Sequence, residues 1–126
     1  MTQIPAVLIV EDEAISLLGI VSHLRDVGFK VYEAVNADEA IKILATHDDI
    51  RVVFTDIIMP GSMNGLRLAA AIRNRWPPVK IIVTSGRTLD DSDLMPEGVM
   101  FMAKPYRYET VTRSVTRLAA AYRQQP

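Results

Sequence analysis

An α/β fold with a doubly wound parallel sheet is what this sequence predicts, and three observations carry the prediction. Short apolar runs rich in Val, Ile and Phe alternate with segments whose apolar residues recur at helical spacing. The strand-like runs are nearly continuous, as expected of strands buried on both faces. The order is strand then helix, repeated five times as (βα)5. Right-handed crossovers then place helices on both faces of a five-stranded parallel sheet.

Ala6-Val7-Leu8-Ile9-Val10 is the first strand. From about Ala14 to Val27, Leu17, Leu18, Val21 and Leu24 fall on one helical stripe, and Gly28 supplies the stop. Lys30–Val35 reads as the second strand. Asn36 caps the next helix, with Glu39 three residues on and Ile41 and Leu44 turned inward. The third strand spans about Arg51–Thr55 and stops on Asp56. Pro60-Gly61-Ser62-Met63-Asn64-Gly65 is a loop by its turn chemistry. Leu66–Trp76 is a helix closed by Pro77-Pro78, with Trp76 a packing residue at its end. Lys80–Thr84 and Val99–Ala103 are strands four and five. Between them lie Gly86, Pro96, Gly98 and few apolar residues, so the fourth helix is expected to be short or irregular. The last helix follows Lys104-Pro105 and sets Val111, Val115, Leu118 and Tyr122 on one face. His23 and His47 have no partner motif and are read as solvated.

Composition bounds what such a fold can do. A length of 126 residues suits one domain with one core, and 49% of them are apolar. A net charge of −1 matches neither a nucleic-acid footprint nor a disordered tail, so no direct nucleic-acid partner is expected. The chain has no cysteine, which excludes disulfides and thiolate metal sites. Its apolar runs are too short for a membrane span, so the default is a cytoplasmic protein with no membrane partner.

The polar residues that follow the strands point to chemistry. Glu11 and Asp12 follow strand one, Asp56 follows strand three, Ser85 follows strand four and Lys104 follows strand five. In a parallel sheet these ends share one edge, where open α/β folds place their sites. Each has a bland reading: a turn residue, a helix cap, or acids complementing a helix dipole. Together they suit one reaction. A cluster of carboxylates calls for a cation, and hard oxygen ligands suit Mg²⁺. Beside such a cation a carboxylate can attack a phosphoryl group and form an aspartyl phosphate. Lys104 and the Ser85 hydroxyl would then help to neutralise the transferred group.

Over essentially its whole length the chain resembles a response-regulator receiver domain of two-component signalling. The resemblance rests on Glu11-Asp12, Asp56 with Met59-Pro60, Gly65, Ser85-Gly86 and Lys104-Pro105. It implies a flavodoxin-like sheet of order 2-1-3-4-5, with 1–126 forming a single receiver domain without an output domain. Asp56 would accept a phosphoryl group from a histidine kinase or phosphotransfer protein of a bacterial two-component system. Glu11, Asp12, Asp56 and the Ile58 backbone carbonyl would bind Mg²⁺. Ser85 would be the switch hydroxyl, with Thr84 pointing away from the site, and Phe101 the aromatic switch residue. The face built by the fourth helix, the fifth strand and the last helix would signal to a downstream protein or to a second copy in a homodimer. Such a domain is no enzyme beyond its own phosphorylation and dephosphorylation. Ile58 and Arg87 flank the expected path of a hydrolytic water, which implies a long-lived phosphoryl group.

Departures from the commonest pattern are the longer Gly61-Ser62-Met63 loop, the short segment before Val99, and Phe101 in place of Tyr. Rival readings stay open. The chain suits a non-phosphorylated receiver-like binding module, or a fragment of a larger hybrid kinase or regulator. A phosphoaspartate-type phosphatase would need an acid where Ile58 stands, and a flavodoxin-like cofactor binder would not carry Glu11-Asp12-Glu13 in its phosphate loop.

Overall fold

The computed structural model of the chain describes residues 5–59, 61, 63–86 and 95–123. Its strands are β1 (Ala6–Val10), β2 (Lys30–Ala34), β3 (Ile50–Asp56), β4 (Lys80–Ser85) and β5 (Met100–Ala103). Its helices are α1 (Ala14–Asp26), α2 (Ala37–Thr46), α3 (Gly65–Arg75) and α4 (Tyr108–Arg123). The sheet runs β2-β1-β3-β4-β5, with every pairing parallel. The expected short helix between strands four and five falls mostly on residues 87–94, outside the described residues, as do Arg87, Pro60 and Ser62.

Strand alternation sorts the core into two layers. Val7, Ile9, Val52, Phe54 and Ile82 face α1 and α4, packing on Leu17, Ile20, Leu24, Val111 and Val115. Leu8, Val10, Val53, Ile81 and Val83 face α2 and α3, packing on Ala40, Leu44, Leu68, Ala69 and Ile72. Both faces of the sheet are therefore dry, which is why the strands read as unbroken apolar runs. Trp76 packs at the rim of the second layer, as expected, with the Arg75 guanidinium 4.4 Å from its ring centre.

Local signals set the helix ends. The Asn36 side chain accepts from the Glu39 N–H at 2.9 Å, while Glu39 reaches back to the Val35 N–H at 3.0 Å. Asn64 caps α3 through the Arg67 N–H at 2.9 Å. After α1, Gly28 at φ 106° closes a Schellman turn: Gly28 N–H bonds the Arg25 carbonyl and Phe29 N–H the Leu24 carbonyl, both at 3.0 Å.

Three expectations need correction. Leu18 is 68% exposed; the buried stripe of α1 is Leu17, Ile20, Val21 and Leu24, since Leu18 falls to the solvent side of that arc. His23 is half-buried rather than solvated. Its Nε2 lies 2.8 Å from Thr112 Oγ1, and its ring stands 5.0 Å from that of Tyr108, in the seam between α1 and α4. Thr84 does not point away from the acids. It registers with Asp56 on β3 and with Met102 on β5, which puts it on the α1/α4 face. His47 is exposed, as expected, although its Nδ1 lies 3.1 Å from the Ile43 carbonyl. The Tyr122 side chain, expected on the inner face of α4, is outside the described part of the molecule.

At the N-terminal edge of the sheet, Asp49 accepts from Lys30 Nζ at 2.8 Å and from the Tyr32 hydroxyl at 3.0 and 3.1 Å. Burial alone would raise the Asp49 carboxyl; the Lys30 and Tyr32 hydrogen bonds outweigh it and hold the pKa below its ordinary value. A carboxyl depressed on folding stabilises the fold above its unfolded pKa, and the contribution is lost as pH falls through the folded one. Asp49→Asn is therefore expected to lower the melting temperature by a few degrees near pH 7. The gap from the wild type should close as pH falls below about 4 in parallel thermal melts. A gap that stays constant through that range would show that the charge of Asp49 contributes nothing.

Candidate functional site

The C-terminal edge of the sheet gathers the predicted polar residues. Alternation carries Glu11 past Ile9, Asp56 past Phe54 and Lys104 past Met102, so all three emerge on the α1/α4 face. The Lys104 ammonium bridges the two acids. Its Nζ lies 2.6 Å from Asp56 Oδ2 and 3.7 Å from Glu11 Oε1. The first contact is a charge-assisted hydrogen bond; the second is an ion pair beyond hydrogen-bond range. Asp56 is 8% exposed and Glu11 6%. Two nearly buried carboxylates are thus held together by one internal cation.

Backbone groups complete the grip. The Ile58 N–H donates to Asp56 Oδ1 at 3.3 Å, and the Glu13 N–H to Glu11 Oε2 at 3.2 Å. Glu13 belongs to the helix instead: its carboxylate caps α1 through the Ser16 N–H at 3.2 Å. Gly65 lets the chain after Asp56 turn into α3. Its N–H donates to the Ile57 carbonyl at 2.8 Å, and a Cβ there would collide with the Asp56 carbonyl oxygen.

The electrostatics follow from burial. Desolvation raises the Glu11 carboxyl above its ordinary value; the Glu13 N–H and the Lys104 charge oppose this, while Asp56 and Asp12 add to it. For Lys104, burial would lower the pKa, but the Asp56 hydrogen bond and the Asp56 and Glu11 charges outweigh it and the ammonium is held above its ordinary value. Burial, with the Asp56 charge added to it, thus works against the charged form of Glu11, which a further cation would stabilise. Among the described residues no three His, Cys, Asp or Glu side chains converge tightly enough to hold a metal ion by themselves. Asp12 is exposed at the mouth, next in sequence to buried Glu11.

The other predicted residues take separate places. Ser85 ends β4, buried, opposite Ala103, and its carbonyl accepts the Lys104 N–H at 2.9 Å. By alternation it lies on the α2/α3 face with Val83, and Phe101, paired with Val83 and 37% exposed, shares that face. Ile58 presents its side chain to solvent. Sequence reasoning missed two features. One is a cleft of about 490 Å³ beside Lys104, lined by Ser16, Gly86, Pro105, Tyr106 and Tyr108. The two tyrosines after Lys104-Pro105 were the available signal for it. The other is the Thr84 hydroxyl, buried beneath the site with no hydrogen-bond partner among the described residues. An orphaned group of this kind costs about 1–3 kcal/mol. A larger cavity of about 590 Å³ lies between the ends of α2 and α3, at the opposite edge of the sheet, and contains none of the site residues.

A conserved-family model, the response regulator receiver domain, matches residues 7–116. A putative NtrX-like response regulator of Rickettsia conorii is 33% identical over 121 residues, covering 93% of this chain and 25% of that protein. The chain spans between 17% and 34% of the length of the curated relatives it matches, among them the aerobic respiration control protein ArcA of Escherichia coli. Among solved structures, a response regulator receiver protein from Pseudomonas putida superposes with a TM-score of 0.83 at 30% identity, covering 93% of this chain and 99% of that one. The response regulator TrrA of Thermotoga maritima, solved in complex with Mg(2+)-BeF, gives a TM-score of 0.82 at 27% identity over 91% of this chain and 99% of its own. The matched span contains Glu11, Asp12, Asp56, Ser85 and Lys104, and with the parallel 2-1-3-4-5 sheet it establishes that this chain belongs to the response regulator receiver domain family.

Proposed function

We propose that Asp56 is a phosphoacceptor, and that the chain switches protein contacts when it is loaded. The observation that carries this reading is the buried Asp56 carboxylate bonded to the Lys104 ammonium at 2.6 Å, with Glu11 beside them. A carboxylate at a strand end, hydrogen-bonded to a cation, can act as a nucleophile, and a neighbouring ammonium offsets the charge that builds on a transferring phosphoryl group.

The donor set also fits Mg²⁺. That ion takes one or two carboxylates, keeps several waters, and needs no cage of three acids. Asp56, Asp12, Glu11 and the Ile58 carbonyl supply hard oxygens, and the Glu11 carboxyl, raised first by burial and then by the Asp56 charge, is one whose charged form a divalent cation would stabilise. TrrA, similar in fold and sequence, was solved with Mg(2+)-BeF. When bound, the ion would polarise the phosphoryl oxygens.

In transfer, Asp56 attacks the phosphorus of a phosphohistidine on a histidine kinase or phosphotransfer protein. The P–N bond breaks, its electron pair leaves with the imidazole, and an O–P bond forms on Asp56. Lys104 stays close to the oxygens of the group. Thr84, level with Asp56 and on its face of the sheet, is the hydroxyl placed to meet the loaded group, while Ser85, expected from the sequence to be the switch hydroxyl, and Phe101 lie on the opposite face, in the layer behind it. The equilibrium of the β4–β5–α4 side then shifts, which a downstream protein or a second copy reads. Exposed apolar side chains on α1 and just after β3, Ile15, Leu18 and Ile58, suit contact with a protein donor.

Incubation with acetyl phosphate or phosphoramidate should add one phosphoryl group by intact mass, only with Mg²⁺ and not in Asp56→Asn. Failure with small donors and with phosphorylated kinases alike would favour a binding module that is never phosphorylated. Because Ile58 offers no hydrogen bond to orient a water, Ile58→Asn should hasten loss of the label by about tenfold or more. Decay in the variant at the wild-type rate would remove Ile58 from control of the lifetime.

A further inference from the structure

The cavity of about 590 Å³ at the sheet edge opposite Asp56 falls in the size range of small-molecule sites, roughly 300–1,000 Å³. Helices α2 and α3 both end at it, and the chain that follows each helix forms its rim. One wall is apolar, built from Leu44, Ile50, Pro77, Val79 and the single tryptophan of the chain, Trp76. Trp76 is half-buried. Its N–H donates to the Ile72 carbonyl at 2.7 Å, and the two prolines after it stiffen the backbone.

The rim carries charge of both signs. The exposed Arg75 guanidinium lies 4.4 Å from the Trp76 ring centre, and the exposed residue Asp48 stands on the α2 side. Among the described residues neither side chain has an ion-pair partner; Arg51 donates to the Asp48 backbone carbonyl at 3.4 Å. Ala45, Thr46 and Arg75 bring C-terminal helix carbonyls, which have no partner inside the helix and carry partial negative charge. A simple anion here would meet Asp48 and two helix ends. A simple cation would meet Arg75. A ligand with one charge of each sign complements both, and the apolar wall calls for an apolar body beside those charges.

We propose that this cavity binds a zwitterionic amino acid with an apolar side chain. Arg75 takes the carboxylate, Asp48 and the helix-end carbonyls take the ammonium, and the side chain lies against Trp76 and Pro77. Stacking on the indole holds the planar guanidinium in one orientation, which suits a two-pronged grip on a carboxylate. The site shares no residue with the Asp56 cluster, and the inference does not rest on the phosphoacceptor reading.

Because Trp76 is the single tryptophan, its fluorescence reports on this cavity directly. The whole chain is titrated into the millimolar range with L-phenylalanine and L-leucine, and with two analogues: 3-phenylpropionate, which lacks the ammonium, and phenethylamine, which lacks the carboxylate. At least one amino acid should change the Trp76 emission saturably and shift the backbone amide signals of Ala45 and Val79 in ¹H–¹⁵N spectra, leaving those around Asp56 in place. Each analogue should bind about tenfold more weakly, the loss of one charge-assisted contact. Arg75→Gln and Asp48→Asn should weaken the amino acid by a similar factor while melting close to the wild type, since both side chains are exposed. Saturation by neither amino acid, amide shifts at the Asp56 edge instead, or analogues that bind as well as their parent would overturn the inference. The analogues probe both charges on the unaltered protein, so the result stands even if a variant folds poorly.

Discussion

The Lys104 ammonium, held across β4 against Asp56 and within reach of Glu11, is the contact on which the rest of the site depends. Without a cation at that point, two nearly buried carboxylates would face each other with little water to screen them. With it, both sides gain: the ammonium is held charged, and Asp56 keeps a hydrogen-bonded partner at a depth where an unpaired charge is costly. The same lysine ties β5 to β3, strands that do not touch in the sheet. A change in the charge of Asp56 is therefore felt first by β5 and by the α4 segment that follows it.

The two-sidedness of the sheet divides the work. The α1/α4 face holds Glu11, Asp56, Thr84 and Lys104, the groups that meet the phosphoryl chemistry in the proposed reading. The α2/α3 face holds Ser85 and Phe101 on neighbouring strands. Successive residues of one strand end, Thr84 and Ser85, thus address different layers. Thr84 shares the layer of Asp56 and Lys104, and Ser85, expected from the sequence to be the switch hydroxyl, lies in the layer behind it.

Much of this was legible in the chain. Continuous runs such as Ala6–Val10 mark strands buried on both sides, and caps such as Asn36 with Glu39 mark helix starts, because those signals are local. The edge bearing Glu11, Asp56, Ser85 and Lys104 followed from parallel topology alone, since every strand ends there. What failed was long-range. Leu18 fits a helical stripe in isolation, but the arc that α4 and the sheet leave to α1 is centred on Leu17, Ile20 and Leu24. His23 lacks a partner in sequence because Thr112 and Tyr108 are on another helix. Thr84 was assigned by counting along β4 from Ser85, whereas its face is set by pairing across to Asp56 and Met102.

The account's central claim is that Asp56, among the acids gathered on this edge, carries the phosphoryl group. The most direct measurement is borohydride reduction of the phosphorylated chain followed by peptide mapping, because hydride converts an acyl phosphate to an alcohol at the residue that bears it. The account predicts homoserine at position 56 and intact carboxylates at Glu11 and Asp12. Reduction at either of those acids, or a label that resists hydride because it is not an acyl phosphate, would contradict it.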